Sequence, residues 1–154
     1  MSNHDCEEIY NRLADTVYRM ALVILKNTAD AEDAVSEVFL RYLRRPQCFQ
    51  DQNHEKAWFL RVTINYCRDQ LRKRKYPVED IEMLPDQPME DKDRYVLQEV
   101  MALPDKYREV IYLHYYEGYT LKEIGKMTGT LESTLQTRLV RARDQLRMRL
   151  EDET

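Results

Sequence analysis

The chain has little glycine, proline, cysteine or tryptophan, and each scarcity removes a class of answer. Three glycines and five prolines in 154 residues, a third of the residues charged, and no sustained alternation of apolar and polar positions favour helices over a sheet. Cys6, Cys48 and Cys67 are odd in number and far apart, without CxxC or Cys/His spacing, so a reducing cytoplasm is expected and a metal site is not. Cys67 falls on an apolar helical face and reads as a small core residue, while His4, His54 and His114 are scattered. No apolar run is long enough to span a bilayer, and the N-terminus lacks a basic region followed by an apolar one. Neither membrane insertion nor a signal peptide is expected. No nucleophile with a paired base, phosphate-cradling glycine loop or metal cluster is visible, which argues against an enzyme and against a cofactor.

What is present is charge, unevenly placed. The net charge of −4 argues against a uniformly basic nucleic-acid binder. Yet residues 61–75 carry six Lys or Arg against one Asp, and residues 138–149 carry five Arg against one Asp. Such local stripes suit phosphate contact, because Coulomb attraction and counterion release act over roughly 8 to 10 Å. The second stripe belongs to a recognisable local order. Thr120 followed three residues on by Glu123 is a capping box, Leu121, Ile124 and Met127 recur at helical spacing, and Gly129 supplies a left-handed stop. A further helix is predicted from about Glu132, with Leu135, Leu139, Ala142, Leu146 and Leu150 on one face and arginines elsewhere around it. The order reads as a helix-turn-helix offering Glu132, Ser133, Gln136, Thr137 and Arg141 to base edges. A helical hairpin with a solvated charged face fits the local pattern as well.

The expected fold is all-α, with two small helical domains, residues 1–75 and 94–154, joined by an acidic linker over 76–93. In the first domain, Asp5 with Glu8 suggests a helix start, followed by Ile9, Leu13, Val17, Ala21 and Ile24 on one face. Asn27 and Thr28 break that pattern, and a second helix from about Ala29 runs until Pro46 stops it. A polar loop around Phe49 precedes a third helix with Ala57, Leu60, Ile64, Cys67 and Leu71 on one face and Arg61, Asn65, Arg68 and Arg72 on a neighbouring stripe. In the linker, Pro77, Pro85 and Pro88 interrupt any helix and seven Asp or Glu stand against one Lys. Helical spacing resumes at Tyr95, restarts after Pro104 and closes at Gly118.

Three separated motifs give the chain a resemblance to the group IV, or extracytoplasmic-function, sigma factors of bacterial RNA polymerase. Residues 30–41, Asp-Ala-Glu-Asp-Ala-Val-Ser-Glu-Val-Phe-Leu-Arg, resemble the region 2 segment that binds core polymerase. Residues 57–65, Ala-Trp-Phe-Leu-Arg-Val-Thr-Ile-Asn, with the basic run at 72–75, resemble the helix that melts and reads the −10 element. Residues 103–110 through 116–120 to 138–143 are similar to region 4, the −35 reader. The resemblance implies core-polymerase contact by Asp30, Glu32, Asp33 and Glu37. It implies −10 contact by Phe49, Gln50, Asn53, Trp58, Arg61, Asn65, Arg68, Arg72 and Lys73, and −35 contact by Ser133, Gln136, Thr137, Arg138, Val140, Arg141 and Arg143. The implied partners are core RNA polymerase, promoter DNA and an anti-sigma factor.

Each motif also has a plainer physical reading. Asp30, Glu32 and Asp33 suit the positive end of a helix dipole, Trp58 suits a core, and Arg68 with residues 72–75 suits sequence-independent phosphate contact. Five positions depart from the family's pattern. Ser36 stands where Gln is usual, Gly125 where Ala is common, Thr130 and Leu131 in the turn, and Gln136 where a cation is frequent. Gly125 lowers helix propensity by about 1 kcal/mol relative to Ala while permitting close helix crossing. Two other functions fit parts of the chain: a helix-turn-helix regulator of duplex DNA, and a polymerase-binding protein without sigma activity.

Overall fold

Apolar residues spaced for one helical face, beginning at Ile9, set the centre of the N-terminal half. In the computed structural model, which describes residues 3–74 and 90–152, the helices are α1 (Asn3–Leu25), α2 (Thr28–Arg44), α3 (Gln52–Lys73), α4 (Asp91–Met101), α5 (Asp105–Ile111), α6 (Leu121–Thr128) and α7 (Glu132–Asp152). A π-helical turn, Tyr112–Tyr116, continues α5, and no strand occurs among the described residues. The chain divides into two units, Met1–Ile81 and Glu82–Thr154. Residues 76–89 of the expected linker, and Lys75 before them, lie outside the described residues. At the linker's far end α4 already begins at Asp91, ahead of the expected residue 94. Asp91 and Asp93 sit in its first turn, where carboxylates favour the positive helix end.

In the N-terminal unit, Ile9, Leu13 and Val17 of α1 pack against Val35, Val38, Phe39 and Tyr42 of α2 and Phe59 of α3. Helix α1 starts at Asn3, two residues ahead of the start expected at Asp5. The break expected at Asn27 is present, as a capped corner. Lys26 takes a left-handed backbone (φ 52°), and the Asn27 side chain accepts from the Asp30 N–H at 2.8 Å to start α2. Asp51 caps α3 in the same way, accepting from the His54 N–H at 2.8 Å. Two ion pairs tie α3 to the other helices. Buried Glu55 accepts from Arg12 of α1, a hydrogen bond that raises the Arg12 pKa. At the other end Arg74, 8% exposed in its side chain, donates to the Leu25 carbonyl at 2.9 Å and to Asp30 at 3.1 Å. The sequence places Arg74 among phosphate contacts; its guanidinium is instead spent inside the unit, because the end of α3 lies over the corner between α1 and α2.

In the C-terminal unit, Leu97 and Val100 of α4, Val110 and Ile111 of α5, Ile124 of α6 and Leu135, Leu139 and Ala142 of α7 are buried. Arg108 is buried with them. It donates to the Leu103 carbonyl at 2.8 Å and to Asp105 at 2.7 Å, and desolvation pulls its pKa down against the pull of Asp105. The π turn was not legible in the sequence. Its wide bond from the Glu117 N–H to the Tyr112 carbonyl (3.1 Å) accommodates an extra residue, so Tyr112 and Leu113 stay buried while Tyr115 faces outward. The capping box at α6 is fully formed: Thr120 N–H donates to Glu123 at 3.0 Å, and Glu123 N–H to the Thr120 hydroxyl at 3.2 Å. Gly129 then ends α6 with φ 68°.

Candidate nucleic-acid interface

Helix α3 buries Phe59, Leu60, Thr63, Ile64 and Cys67, which leaves an outward face at spacings of three and four: Trp58, Arg61, Asn65, Arg68 and Arg72. Arg61, Asn65 and Arg72 are exposed and Trp58 and Arg68 are half-buried, so the stripe is open along its length. Arg72 pairs with Asp69 in the next turn. Lys73 falls off the stripe, toward a cavity of about 220 Å³ that it lines with Asp30, Asp33, Tyr66, Gln70 and Arg74. Phe49 points inward, stacked on Tyr42 at 6.2 Å and tilted against Trp58 at 5.9 Å, so it walls the site from below. Gln50 and Asn53 are exposed on the loop and the first turn of α3, and the Gln50 N–H donates to His54 Nδ1 at 3.1 Å.

Beside Trp58 lies an open cavity of about 360 Å³ lined by Arg41, Arg44, Arg45, Gln47, Trp58, Val62 and Asn65. The sequence reading located Trp58 and Asn65 but missed the rest. Consecutive arginines ending α2 immediately before Pro46 were the available signal: a helix that must stop there presents cations at its negative end. An aromatic wall, two amides and several cations in one concavity can stack a flat heterocycle, read its edge and neutralise its phosphate.

The acidic residues of α2 divide in two. Glu32 and Asp33 are exposed. Asp30 is engaged by Arg74, and Glu37 accepts from Arg41 at 3.3 Å with Arg44 at 3.8 Å. Ser36 is exposed on the same side, as are two large apolar side chains, Leu40 and Leu43. A face with carboxylates at one end and leucines at the other is suited to a protein partner, steered by charge and held by apolar burial.

In α7, Ser133, Gln136, Thr137, Val140 and Arg141 are exposed along one stripe, opposite the buried Leu135, Leu139 and Ala142. Arg138 is half-buried at one border of that stripe. Arg143 is at the other border, where its guanidinium lies 5.3 Å from the Tyr115 ring and donates to the Tyr115 hydroxyl. The turn is held by a short chain of hydroxyls: Thr128 donates to the Ile124 carbonyl at 2.8 Å, and its oxygen can accept from the Thr130 hydroxyl 3.0 Å away. Leu131 starts α7, its carbonyl accepting from the Leu135 N–H at 3.0 Å, while its own side chain is 74% exposed. A Cβ on Gly125 would stand 2.9 Å from the Thr130 carbonyl oxygen, so the close approach at Gly125 is to the turn backbone rather than the helix crossing that the sequence suggested. Among the described residues no group of three or more His, Cys, Asp or Glu could hold a metal ion, and no helix is long and apolar enough to cross a membrane.

Known proteins share this arrangement. Residues 9–76 match the family model for sigma-70 region 2, and residues 93–146 match that for sigma-70, region 4. The RNA polymerase sigma factor SigV of Bacillus subtilis is 33% identical, with 88% of this chain and 85% of SigV covered. The ECF RNA polymerase sigma factor SigW of the same organism is 29% identical over 96% of this chain and 88% of its own length. Among solved structures, the sigma factor RpoE of Bartonella quintana, determined with the anti-sigma factor NepR, superposes with a TM-score of 0.79 at 21% identity, covering 96% of this chain and 97% of RpoE. CnrH, determined with the cytosolic domain of CnrY, gives 0.69 at 19% identity, covering 99% of this chain and 92% of CnrH. At those identities the likeness is one of fold. The chain belongs to the ECF group of the sigma-70 family and is an RNA polymerase sigma factor. Proteins of this family are transcription initiation factors rather than enzymes.

Proposed function

We propose that this sigma factor divides promoter recognition between its two units: the first binds core polymerase and holds the melted −10 element, and the second reads the −35 duplex. One observation carries the reading. Each unit presents a single helix, α3 or α7, whose inner face is buried and whose outer face lines up amides, hydroxyls and cations at helical spacing. On α3 the stripe adjoins Trp58 and its cavity, which suits unpaired bases. On α7 the stripe is flat and its first turns carry Ser133, Gln136 and Thr137, which suits a major groove. Glu32 and Asp33, with Leu40 and Leu43 behind them, are the polymerase-facing surface, while Asp30 is tied to Arg74 and Glu37 to Arg41 and Arg44 of its own helix.

The chain acts as a specificity subunit in the cytoplasm, where polymerase supplies the chemistry. An anti-sigma protein covering the two DNA-facing surfaces controls it, a reading supported by the anti-sigma factor NepR bound to the fold relative RpoE. The test is in vitro transcription with core polymerase on a genomic promoter library. Arg141→Ala should weaken binding to the −35 duplex, and Asn65→Ala should impair open-complex formation with core binding intact. Loss of core binding in a folded Asn65→Ala protein would overturn this division of roles.

A further inference from the structure

Five arginines follow one another along α7, and their partners differ in kind. Arg147 pairs with Asp144 at 3.3 Å, and Arg149 lies 3.9 Å from Glu99 while donating to the Ala102 carbonyl at 3.3 Å, so both charges meet carboxylates within the unit. Arg138 and Arg141 have no such hold among the described residues. Arg143 belongs to neither group. Its Nε donates to the Tyr115 hydroxyl, and its guanidinium carbon lies 5.3 Å from the centre of the Tyr115 ring. A neutral hydroxyl cancels no charge, and Nε is one nitrogen of three. Nη1 and Nη2 therefore keep their donors, with no partner among the described residues. Tyr115 is itself placed by the π turn. In an unbroken α-helix it would fall on the face of Arg108, Ile111 and Tyr112, all buried; here it is 53% exposed. His114 meets its ring at 4.9 Å, and Nδ1 of that histidine is held by the Tyr119 carbonyl at 2.7 Å. Turning a large aromatic out of a core position gives up apolar burial, and π turns of this kind are frequent at functional sites.

We propose that Tyr115 is a positioning residue for DNA contact: it holds Arg143 so that Nη1 and Nη2 grip one backbone phosphate beside the groove that α7 enters. The proposal rests on reading α7 as the −35 helix. Arg143 lies three residues beyond Val140 and seven beyond Gln136, about 10 Å farther along the helix than Gln136. It borders the exposed stripe, on the flank where the sugar-phosphate backbone runs past a helix seated in the groove. A phosphate offers two oxygens, which the guanidinium fork meets with two parallel N–H bonds. An arginine without a hold must surrender its rotamer freedom to make that contact, and Arg143 has already given up much of it to Tyr115. Because the contact is to phosphate, Tyr115 adds affinity and register but reads no base.

The experiment uses holoenzyme, the full chain with core polymerase, titrated with a labelled duplex carrying the −35 element at several salt concentrations. Tyr115→Phe keeps the ring and removes the acceptor. It should weaken binding about threefold, the cost of ordering one long side chain, with the salt dependence unchanged. Arg143→Ala should weaken binding about tenfold and make the slope of log K against log salt shallower by about 0.9, as expected when one phosphate contact is lost. In the Arg143→Ala background, Tyr115→Phe should then have no further effect, because the hydroxyl acts only through that arginine. Wild-type affinity in Tyr115→Phe, or the same threefold loss in both backgrounds, would overturn the positioning role; so would an unchanged salt slope in Arg143→Ala. Weaker core binding in Tyr115→Phe would overturn it too, by placing the hydroxyl in a protein interface. In each of these cases a wild type that prefers the −35 duplex to a scrambled one still supports the reading of α7. A wild type that binds the two equally would overturn both.

Discussion

Replacing Gly125 with alanine sets two effects of opposite sign against each other. In an exposed helix interior the change would stabilise by about 1 kcal/mol, because alanine loses less backbone entropy on folding. Here the new Cβ would stand 2.9 Å from the Thr130 carbonyl oxygen, a separation that real Cβ atoms essentially never show. The obstacle is backbone in the turn between α6 and α7, so relief requires the turn to move, and overpacking of this kind costs about 1 to 3 kcal/mol. The steric cost wins, leaving a net loss of about 1 kcal/mol in this unit. Displacing Thr130 also re-aims Ser133, Gln136 and Thr137 in the first turn of α7, so DNA binding should suffer more than stability. Amide hydrogen exchange in α6 and α7 of the full chain would read the first effect, and titration with −35 duplex the second. Slower exchange together with unchanged DNA affinity would refute the close approach and return Gly125 to an ordinary helix position.

Three further outcomes are expected. Arg74→Ala should destabilise the N-terminal unit by about 3 kcal/mol, since it removes an ion-pair partner of half-buried Asp30 and a donor to the Leu25 carbonyl; a thermal melt within 1 °C of wild type would contradict this. Thr120→Ala should cost about 1 kcal/mol by opening the α6 cap. Its hydrogen bonds hold the Glu123 pKa below the ordinary value, so the cap's contribution is complete at neutral pH and fades as pH falls through the depressed folded-state value. A variant whose stability differs from wild type equally at pH 7 and pH 3 would count against that. Burial, then Glu117 and Glu123, push the Tyr119 hydroxyl up to about 12 from 10.0. Stability from this group is therefore present below pH 10 and lost between about 10 and 12. Tyr119→Phe should flatten that alkaline decline in chemical denaturation, leaving a residue from Tyr116, whose hydroxyl burial also raises.

Local order was readable wherever a short-range rule governs it. The capping box at Thr120, the stop at Gly129 and the buried faces beginning at Ile9 and Leu135 follow from spacing along one helix, which covalent geometry fixes at 3.6 residues per turn. The sequence by itself therefore determined an all-helical chain with an outward stripe on α3 and another on α7, and its motifs pointed to the family. Tertiary structure decided which charges in those stripes remain available. Arg74 and Asp30, 44 residues apart, neutralise each other at the foot of the N-terminal unit, and Arg143 is turned toward Tyr115, 28 residues away. It also decided that the end of α2 and the loop after it join Trp58 and Asn65 around one cavity. Periodicity cannot register such pairings, because they depend on where separate helices cross, and that is set by the packing of buried side chains across the whole unit.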